Sequence, residues 1–276
     1  MYLLNGESRH CIDFADRGFQ YGDGLFETIE IVNEKPVFLN RHLRRLNNGC
    51  QRLLIPMPDI QTLRKEAFLL SQDSVHAVLK LIVTRGSGGR GYRQPENIKS
   101  TRLLSLHPSP DYSKDFTIQG INARMCTTRL GLNPDLAGFK HMNRLEQVLA
   151  RAEWDSAKIQ EGLMSDINDH VVEGTMSNVF LVKDKVLYTP KITQCGVKGI
   201  LRDIIIQLAV KYLIPVVEKN ITKDEIFSAD ELFITNSIIG VWPVKQLEWR
   251  NFGVGGLTRQ LQSLYLAFKQ QETHDC

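Results

Sequence analysis

The chain has 276 residues, 42% of them hydrophobic and 24% charged, with a formal net charge of +3. At about 100–200 residues per domain, that is one large or two modest domains with a sizeable core, and basic residues spread along the chain argue against a nucleic-acid partner. No apolar run reaches the roughly 20 residues of a membrane span, so no membrane role is expected, and the opening MYLLNGESRH lacks the features of a signal peptide. Cys11, Cys50, Cys126, Cys195 and Cys276 are scattered, odd in number and form no CxxC pair. Reduced thiols in a cytoplasm are expected, with no disulfide framework and no metal site.

In chain order, Met1–Leu4 and Thr28–Val32 read as strands. Arg41–Leu54 has helical spacing through Leu43, Leu46, Cys50 and Leu53, with Asn40 as its predicted N-cap and Pro56 and Pro58 ending it. Asp59 is predicted to cap a helix facing inward through Ile60, Leu63, Ala67 and Leu70. Val78–Thr84 and Arg102–Leu106 read as strands. His107-Pro-Ser-Pro-Asp-Tyr-Ser113 has linker composition, so a small domain over 1–107, a linker over 108–115 and a large domain over 116–276 are expected. The large domain is predicted to open on a long strand region, Phe116–Thr128, followed by a helix over Asn143–Trp154 with one apolar face of Leu145, Val148, Leu149 and Ala152. Gly162–Ile167 and Asn178–Val182 read as strands, the latter with a hairpin turn after it. Ile200–Leu213 is a predicted helix facing inward through Leu201, Ile204, Ile205 and Leu208, Thr222-Lys-Asp-Glu225 is a capping box, Glu231–Thr235 a strand and Leu257–Phe268 a final amphipathic helix. Mixed strands and helices in two segments predict an α+β fold.

Several residues carry chemistry. Lys140 follows small and apolar residues, where desolvation lowers an ammonium pKa and frees a nucleophilic amine able to join an aldehyde. The plain alternative is a surface lysine whose stem covers apolar atoms. Glu173 opens Glu173-Gly-Thr-Met-Ser-Asn178, followed by a strand-like NVFLV; a carboxylate there suits a cationic ring nitrogen, against an ordinary turn glutamate. Gly199-Ile-Leu-Arg202 opens a helix, where free N–H groups favour an anion. Arg45 offers a planar fork to phosphate oxygens, the alternative being a solvated helix face. Thr235-Asn-Ser237 follows a strand and offers a hydroxyl and amides.

Taken together, these stretches resemble the fold-type IV, class IV aminotransferase-like enzymes that use pyridoxal phosphate (PLP). Asp16-Arg-Gly-Phe-Gln-Tyr-Gly-Asp-Gly-Leu-Phe-Glu-Thr28 is similar to the family's opening stretch, and Arg41-His-Leu-Arg-Arg-Leu46 to its phosphate-arginine helix, with Arg45 favoured over Arg44. The resemblance implies a small N-terminal α/β domain, a larger domain with a barrel-like β core, and a homodimer with sites near the domain interface. It implies Lys140 as the Schiff-base lysine, Glu173 as the pyridine-nitrogen acid, Ile200 and Leu201 as backbone phosphate contacts, and Asn236 and Ser237 as further ones. Branched-chain members have a tyrosine shortly after the lysine, where this chain has Asn143-Arg144. Three stretches, Arg85–Tyr92, Arg129–Gln147 and Gly196–Arg202, resemble the family's aminodeoxychorismate-cleaving branch. That likeness implies release of 4-aminobenzoate and pyruvate in folate synthesis, with Thr28 serving the leaving oxygen; a β-branched strand residue without a chemical role is the equal alternative for Thr28. Amino acid transamination, of branched-chain or D-amino acid type, is the near alternative.

Gly86-Ser-Gly-Gly-Arg-Gly91 matches GxGxxG after a strand, but Tyr92-Arg-Gln-Pro95 follows in place of a helix, so a dinucleotide fingerprint is not expected. A glycine loop beside the active site is the preferred reading. Arg90 and Tyr92 then serve substrate binding, Arg90 by meeting a substrate carboxylate; a hairpin loop with a solvated arginine is the equal alternative.

Overall fold

The protein is described from a computed structural model that covers residues 1–274 apart from His10. Cys276 lies outside the described residues. The chain forms two compact units. The first takes residues 1–110, returns for Phe139–Asn143, and takes the last helix from Lys269 on; the second takes Asp111–Gly138 and Arg144–Phe268.

The first unit contains β1 (Tyr2–Leu4), α1 (Arg17–Tyr21), β2 (Gly24–Val32), β3 (Lys35–Pro36), α2 (Leu39–Leu53), α3 (Ile60–Ser71), β4 (His76–Thr84) and β5 (Thr101–Pro108). Among the described residues its strands make one antiparallel sheet in the order β1-β5-β4-β2-β3. Period-two alternation turns Leu25, Ile29 and Ile31 of β2 and Ala77, Leu79, Leu81 and Val83 of β4 to one face. Leu43, Leu46 and Cys50 of α2, with Leu63, Ala67 and Leu70 of α3, join that core. Asp59 caps α3 as expected, its carboxylate accepting the Thr62 N–H at 2.7 Å. Asn40 does not cap α2. Buried Phe38 holds the cap position, its carbonyl accepting from Arg41 N and His42 N, while Asn40 lies inside the helix and accepts from Arg64 Nη2 at 2.5 Å. Burial of the Phe38 ring sets the helix entry more strongly than the capping preference of an amide.

The second unit contains α4 (Asp115–Ile118), β6 (Ile121–Met125), α5 (Leu145–Arg151), β7 (Glu161–Ser165), β8 (His170–Gly174), β9 (Asn178–Lys183), β10 (Val186–Pro190), α6 (Ile200–Lys211), β11 (Val216–Lys219), β12 (Ile221–Thr222), α7 (Lys223–Phe227), β13 (Glu231–Asn236), β14 (Gly240–Leu247), β15 (Arg250–Asn251) and α8 (Gly256–His274), which runs on past Phe268. Its sheet is mixed, in the order β11-β10-β9-β13-β14-β6-β7-β8-β12, with β15 beside β14. The β10–β11, β14–β6 and β6–β7 pairs are parallel. The two end strands are consecutive in the chain, separated by Asn220 alone: β11 pairs with β10 and β12 with β8. The sheet therefore returns on itself as a barrel-like core filled by Ile121, Leu163, Val171, Val179, Leu181, Ile221 and their neighbours. The α+β architecture expected from the residues is the one found.

Two expectations for this unit are corrected. Phe116–Thr128 is not one strand: α4 comes first, Gly120 turns the chain at φ 86°, and only Ile121–Met125 pairs. A Cβ at Gly120 would lie 2.9 Å from the Pro243 carbonyl, so the turn requires glycine. In α5 the apolar stripe faces outward in the single chain, with Leu145 76% and Val148 and Leu149 each 61% exposed, while Gln147 and Ala150 are buried. The Thr222–Glu225 capping box is present in both directions. Burial pushes the thiols of Cys50, Cys126 and Cys195 up to about 12, which makes them unreactive at neutral pH.

Ile221 is fully buried on the strand that closes the barrel. Ile221→Ala is expected to cost about 2–5 kcal/mol in urea unfolding, with faster amide exchange in its partner strand β8.

Candidate active site

In the first unit, Lys140 sits on a short segment that pairs with β2. The Phe26 N–H donates to the Lys140 carbonyl at 3.0 Å, the Met142 N–H to the Gly24 carbonyl at 2.9 Å, and Leu25 bridges His141. The fit needs glycine at 24: a Cβ there would lie 2.7 Å from both Met142 Sδ and the Val83 carbonyl. The Lys140 ammonium stands 4.3 Å from the centroid of the Phe26 ring, a cation–π contact. Thr28 is two residues along from Phe26 and shares its face of β2. The structure thus brings Lys140 and Thr28 to one strand face.

Arg45 is half-buried on α2, whereas Arg44 is exposed. Glu27, on the opposite face of β2 and almost wholly buried, accepts from Arg45 Nε at 2.8 Å and Nη2 at 2.5 Å. His42 Nδ1 is 2.6 Å from the same carboxylate. Burial pushes Glu27 upward, but the Arg45 charge and the bonds from Arg45 and His42 outweigh it and hold its pKa at about 2. Burial lowers the His42 pKa, and the charges of Arg45 and Lys140 add to this against the opposing pull of Glu27. His42 is therefore neutral. Glu27 can only accept, so Nδ1 carries the hydrogen, and Nε2 is left as a buried acceptor without a partner among the described residues.

Arg90 and Tyr92 lie in the exposed glycine loop. Tyr92 meets Tyr21 edge-on at 5.7 Å between centroids. The loop is tied down by Arg17 Nη1, which donates to the Gly91 carbonyl at 2.9 Å; Arg17 and Arg85 both pair with Asp23.

In the second unit, Glu173 is buried near the end of β8. Its Oε1 accepts from Gln147 Nε2 at 3.3 Å and its Oε2 from the Val197 N–H at 2.8 Å. Asn178 Nδ2 donates to the Val197 carbonyl at 2.8 Å. Three residues after Val197, α6 begins at Ile200 and Leu201 with Gly199 as N-cap and no side-chain capping bond among the described residues. Asp203, in its first turn, accepts from Gln207 Nε2. A Cβ at Gly199 would collide with the Asn178 side chain. Thr235, opposite Asn178 across β9 and β13, keeps a fully buried hydroxyl with no partner among the described residues. Asn236 donates to the Met176 carbonyl at 3.1 Å and accepts from the N–H groups of Ile238 and Ile239, with Ser237 in the same turn.

The features of the second unit fit a phosphorylated ring with a basic nitrogen. An uncapped helix N-terminus with glycine at its mouth and an orphaned hydroxyl nearby suits the phosphate. A buried carboxylate that accepts from Gln147 and Val197 suits the ring nitrogen. In the first unit, Lys140 carries an amine of the kind an aldehyde requires. Glu27, His42, Gln147, Val197 and Asn178 stand inside the stretches singled out in the sequence, which assigns them no individual role. The available signal was polarity at buried parity: Glu27 interrupts the apolar alternation of Leu25, Ile29 and Ile31.

The family model described as "Amino-transferase class IV" matches residues 24–247. The aminodeoxychorismate lyase of Vibrio harveyi is 34% identical over 95% of this chain and 98% of that protein. A putative branched-chain-amino-acid aminotransferase of Methanocaldococcus jannaschii is also 34% identical, over 95% and 94%. The crystal structure of 4-amino-4-deoxychorismate lyase from Pseudomonas aeruginosa superposes with a TM-score of 0.92 at 44% identity, covering 95% of this chain and 97% of that one. At the level of fold, the T.th. branched-chain amino acid aminotransferase, solved with pyridoxamine 5'-phosphate, superposes with a TM-score of 0.85 at 22% identity, over 98% and 94%.

Glu27 gives a pH signature. Its folded pKa is depressed from 4.5 to about 2, so its stabilisation is complete above pH 4.5 and is lost as pH falls toward 2. The stability gap between wild type and Glu27→Gln is expected to be on the order of 3 kcal/mol at neutral pH and to close across that window in urea titrations. A gap independent of pH would contradict the ion pair.

Proposed function

The chain belongs to the class IV aminotransferase family, and from that membership we propose that it is a PLP-dependent aminodeoxychorismate lyase, converting 4-amino-4-deoxychorismate to 4-aminobenzoate and pyruvate in folate synthesis. The observation that carries the cofactor assignment is the join between Glu173 and the uncapped start of α6 through the Val197 peptide. An acid and an anion nest are built on one stretch of backbone. The choice of lyase is supported by the 44% identity to the Pseudomonas aeruginosa enzyme across nearly the whole chain.

When bound, the cofactor supplies an electron sink for the charge left as a C–H bond breaks. Lys140 would hold the cofactor aldehyde through its amine and, with that amine freed, would take the proton from the amine-bearing carbon of the substrate. Glu173 would keep the ring nitrogen protonated. Arg45, the N–H groups of Ile200 and Leu201, and Asn236 with Ser237 would hold the phosphate. Arg90, with Tyr92 beside it, meets a substrate carboxylate. Thr28, on the lysine's strand face, serves the oxygen that leaves with pyruvate. The ring becomes aromatic and no external oxidant is consumed. Scattered thiols, free at Cys11, Cys50, Cys126 and Cys195 among the described residues, suit the cytoplasm as its compartment.

The same residues serve transamination, and the likeness to the Methanocaldococcus jannaschii aminotransferase favours that second reading. A transaminase passes the amino group to an oxo acid, whereas a lyase releases pyruvate. Purified protein given aminodeoxychorismate is expected to yield 4-aminobenzoate and pyruvate in equal amounts without an oxo acid. Lys140→Ala is expected to lose the covalent cofactor adduct and to lower turnover at least about a thousandfold. Amino transfer to an oxo acid without pyruvate release would favour the second reading, and full activity in Lys140→Ala would end both.

A homodimer is part of the same proposal. Leu145, Val148 and Leu149 give α5 an apolar face that the single chain leaves in water. Leu149→Lys is expected to shift sedimentation toward the 31.4 kDa of one chain; an unchanged mass would remove this face from the interface.

A further inference from the structure

Glu161, on β7, is fully buried, and no cation pairs with it among the described residues. Hydrogen bonds surround it instead. Its Oε1 accepts from the Gly162 N–H at 2.9 Å, the Thr175 N–H at 3.1 Å and the Thr175 hydroxyl at 2.5 Å. Its Oε2 accepts from the Ser177 hydroxyl at 2.7 Å and the Met176 N–H at 3.4 Å. Gly174 completes the nest: a Cβ there would lie 2.8 Å from Glu161 Oε2 and would collide with the Ser177 hydroxyl. Gly174, Thr175 and Ser177, the small residues between Glu173 and Asn178, are therefore shaped around this one side chain.

A buried carboxyl group is costly to desolvate, and hydrogen bonds from one loop offset that cost only while the loop keeps its shape. The loop begins at Glu173 and ends at Asn178, whose side chains hold the Val197 N–H and the Val197 carbonyl respectively. Its middle offers the Met176 carbonyl to Asn236. We propose that Glu161 is a positioning residue for the cofactor site: by organising residues 174–177 it fixes the spacing of Glu173 and Asn178, and through Val197 the start of α6. This rests on the cofactor reading above. Glu161 touches no substrate and moves no proton. Its effect falls on cofactor affinity and on the environment of the ring nitrogen.

The test uses the full chain reconstituted with PLP. Glu161→Gln keeps the shape but turns an amide toward donors, leaving at least one loop N–H without an acceptor. Thr175→Val and Ser177→Ala delete single donors and keep the experiment decisive should Glu161→Gln fold poorly. Ile121→Ala, a core truncation elsewhere in the second unit, is the control for stability alone. PLP dissociation constants, the pH dependence of the bound cofactor's absorption band and apoprotein melting temperatures are measured for each. Glu161→Gln is expected to weaken PLP binding by about tenfold or more, to shift the absorption titration, and to speed exchange of the Val197 amide. The hydroxyl deletions are expected to move affinity the same way by smaller factors, while Ile121→Ala lowers the melting temperature and leaves affinity unchanged. PLP uptake by the wild type with the same affinity in Glu161→Gln and both hydroxyl deletions would overturn this proposal alone. A wild type that takes up no PLP would overturn the cofactor reading and this proposal with it.

Discussion

Both main-chain polar groups of one residue, Val197, are held by side chains: Glu173 accepts the Val197 N–H and Asn178 donates to the Val197 carbonyl. Main-chain groups outside helices and sheets need such partners, and most find another backbone or water. Here the partners stand at the end of β8 and the start of β9, so the loop between two barrel strands dictates where the next helix begins. That helix then presents uncapped N–H groups, because its N-cap is a glycine pressed against Asn178. The anion site proposed in this unit would therefore rest on backbone geometry more than on any cluster of cationic side chains.

The first unit solves a different problem, that of holding Lys140, the proposed cofactor lysine, still. Pairing of its own segment with β2 fixes the backbone, and the Phe26 ring lies beneath the ammonium. The glycine at 24 is what allows the two segments to approach. On the far side of the same strand, a carboxylate and a neutral imidazole anchor a guanidinium, giving Arg45 a single orientation rather than the many an exposed arginine samples.

Much of the fold is legible in the sequence. Alternation over β4, the Asp59 cap and the Thr222–Glu225 box are local features whose physics is complete within a few residues. Lys140 and Glu173 stood out through their immediate neighbours. What stayed hidden is compensated at long range. Glu161 resembles any strand glutamate until Thr175 and Ser177, 14 and 16 positions away, are placed against it, and Glu27 needs Arg45, 18 positions on. Phe116–Thr128 looked continuous because strand-favouring residues stand on both sides of Gly120, with Phe116, Thr117 and Ile118 before it and Ile121, Thr127 and Thr128 after. The left-handed turn at Gly120 is set by close approach to Pro243. The α5 stripe shows the limit of periodicity, which reveals that a helix has an apolar side but not what covers it.

The route of the polypeptide through its two units has an evolutionary reading. The first unit is not a contiguous stretch: the chain leaves it after Pro110, comes back for Phe139–Asn143, departs again, and ends in it from Lys269. A gene severed at the first crossing would encode an amino-terminal product without the Phe139–Asn143 segment, and a carboxy-terminal product carrying that segment with no β2 to dock on. Neither half would then be a self-sufficient module for transfer onto another protein.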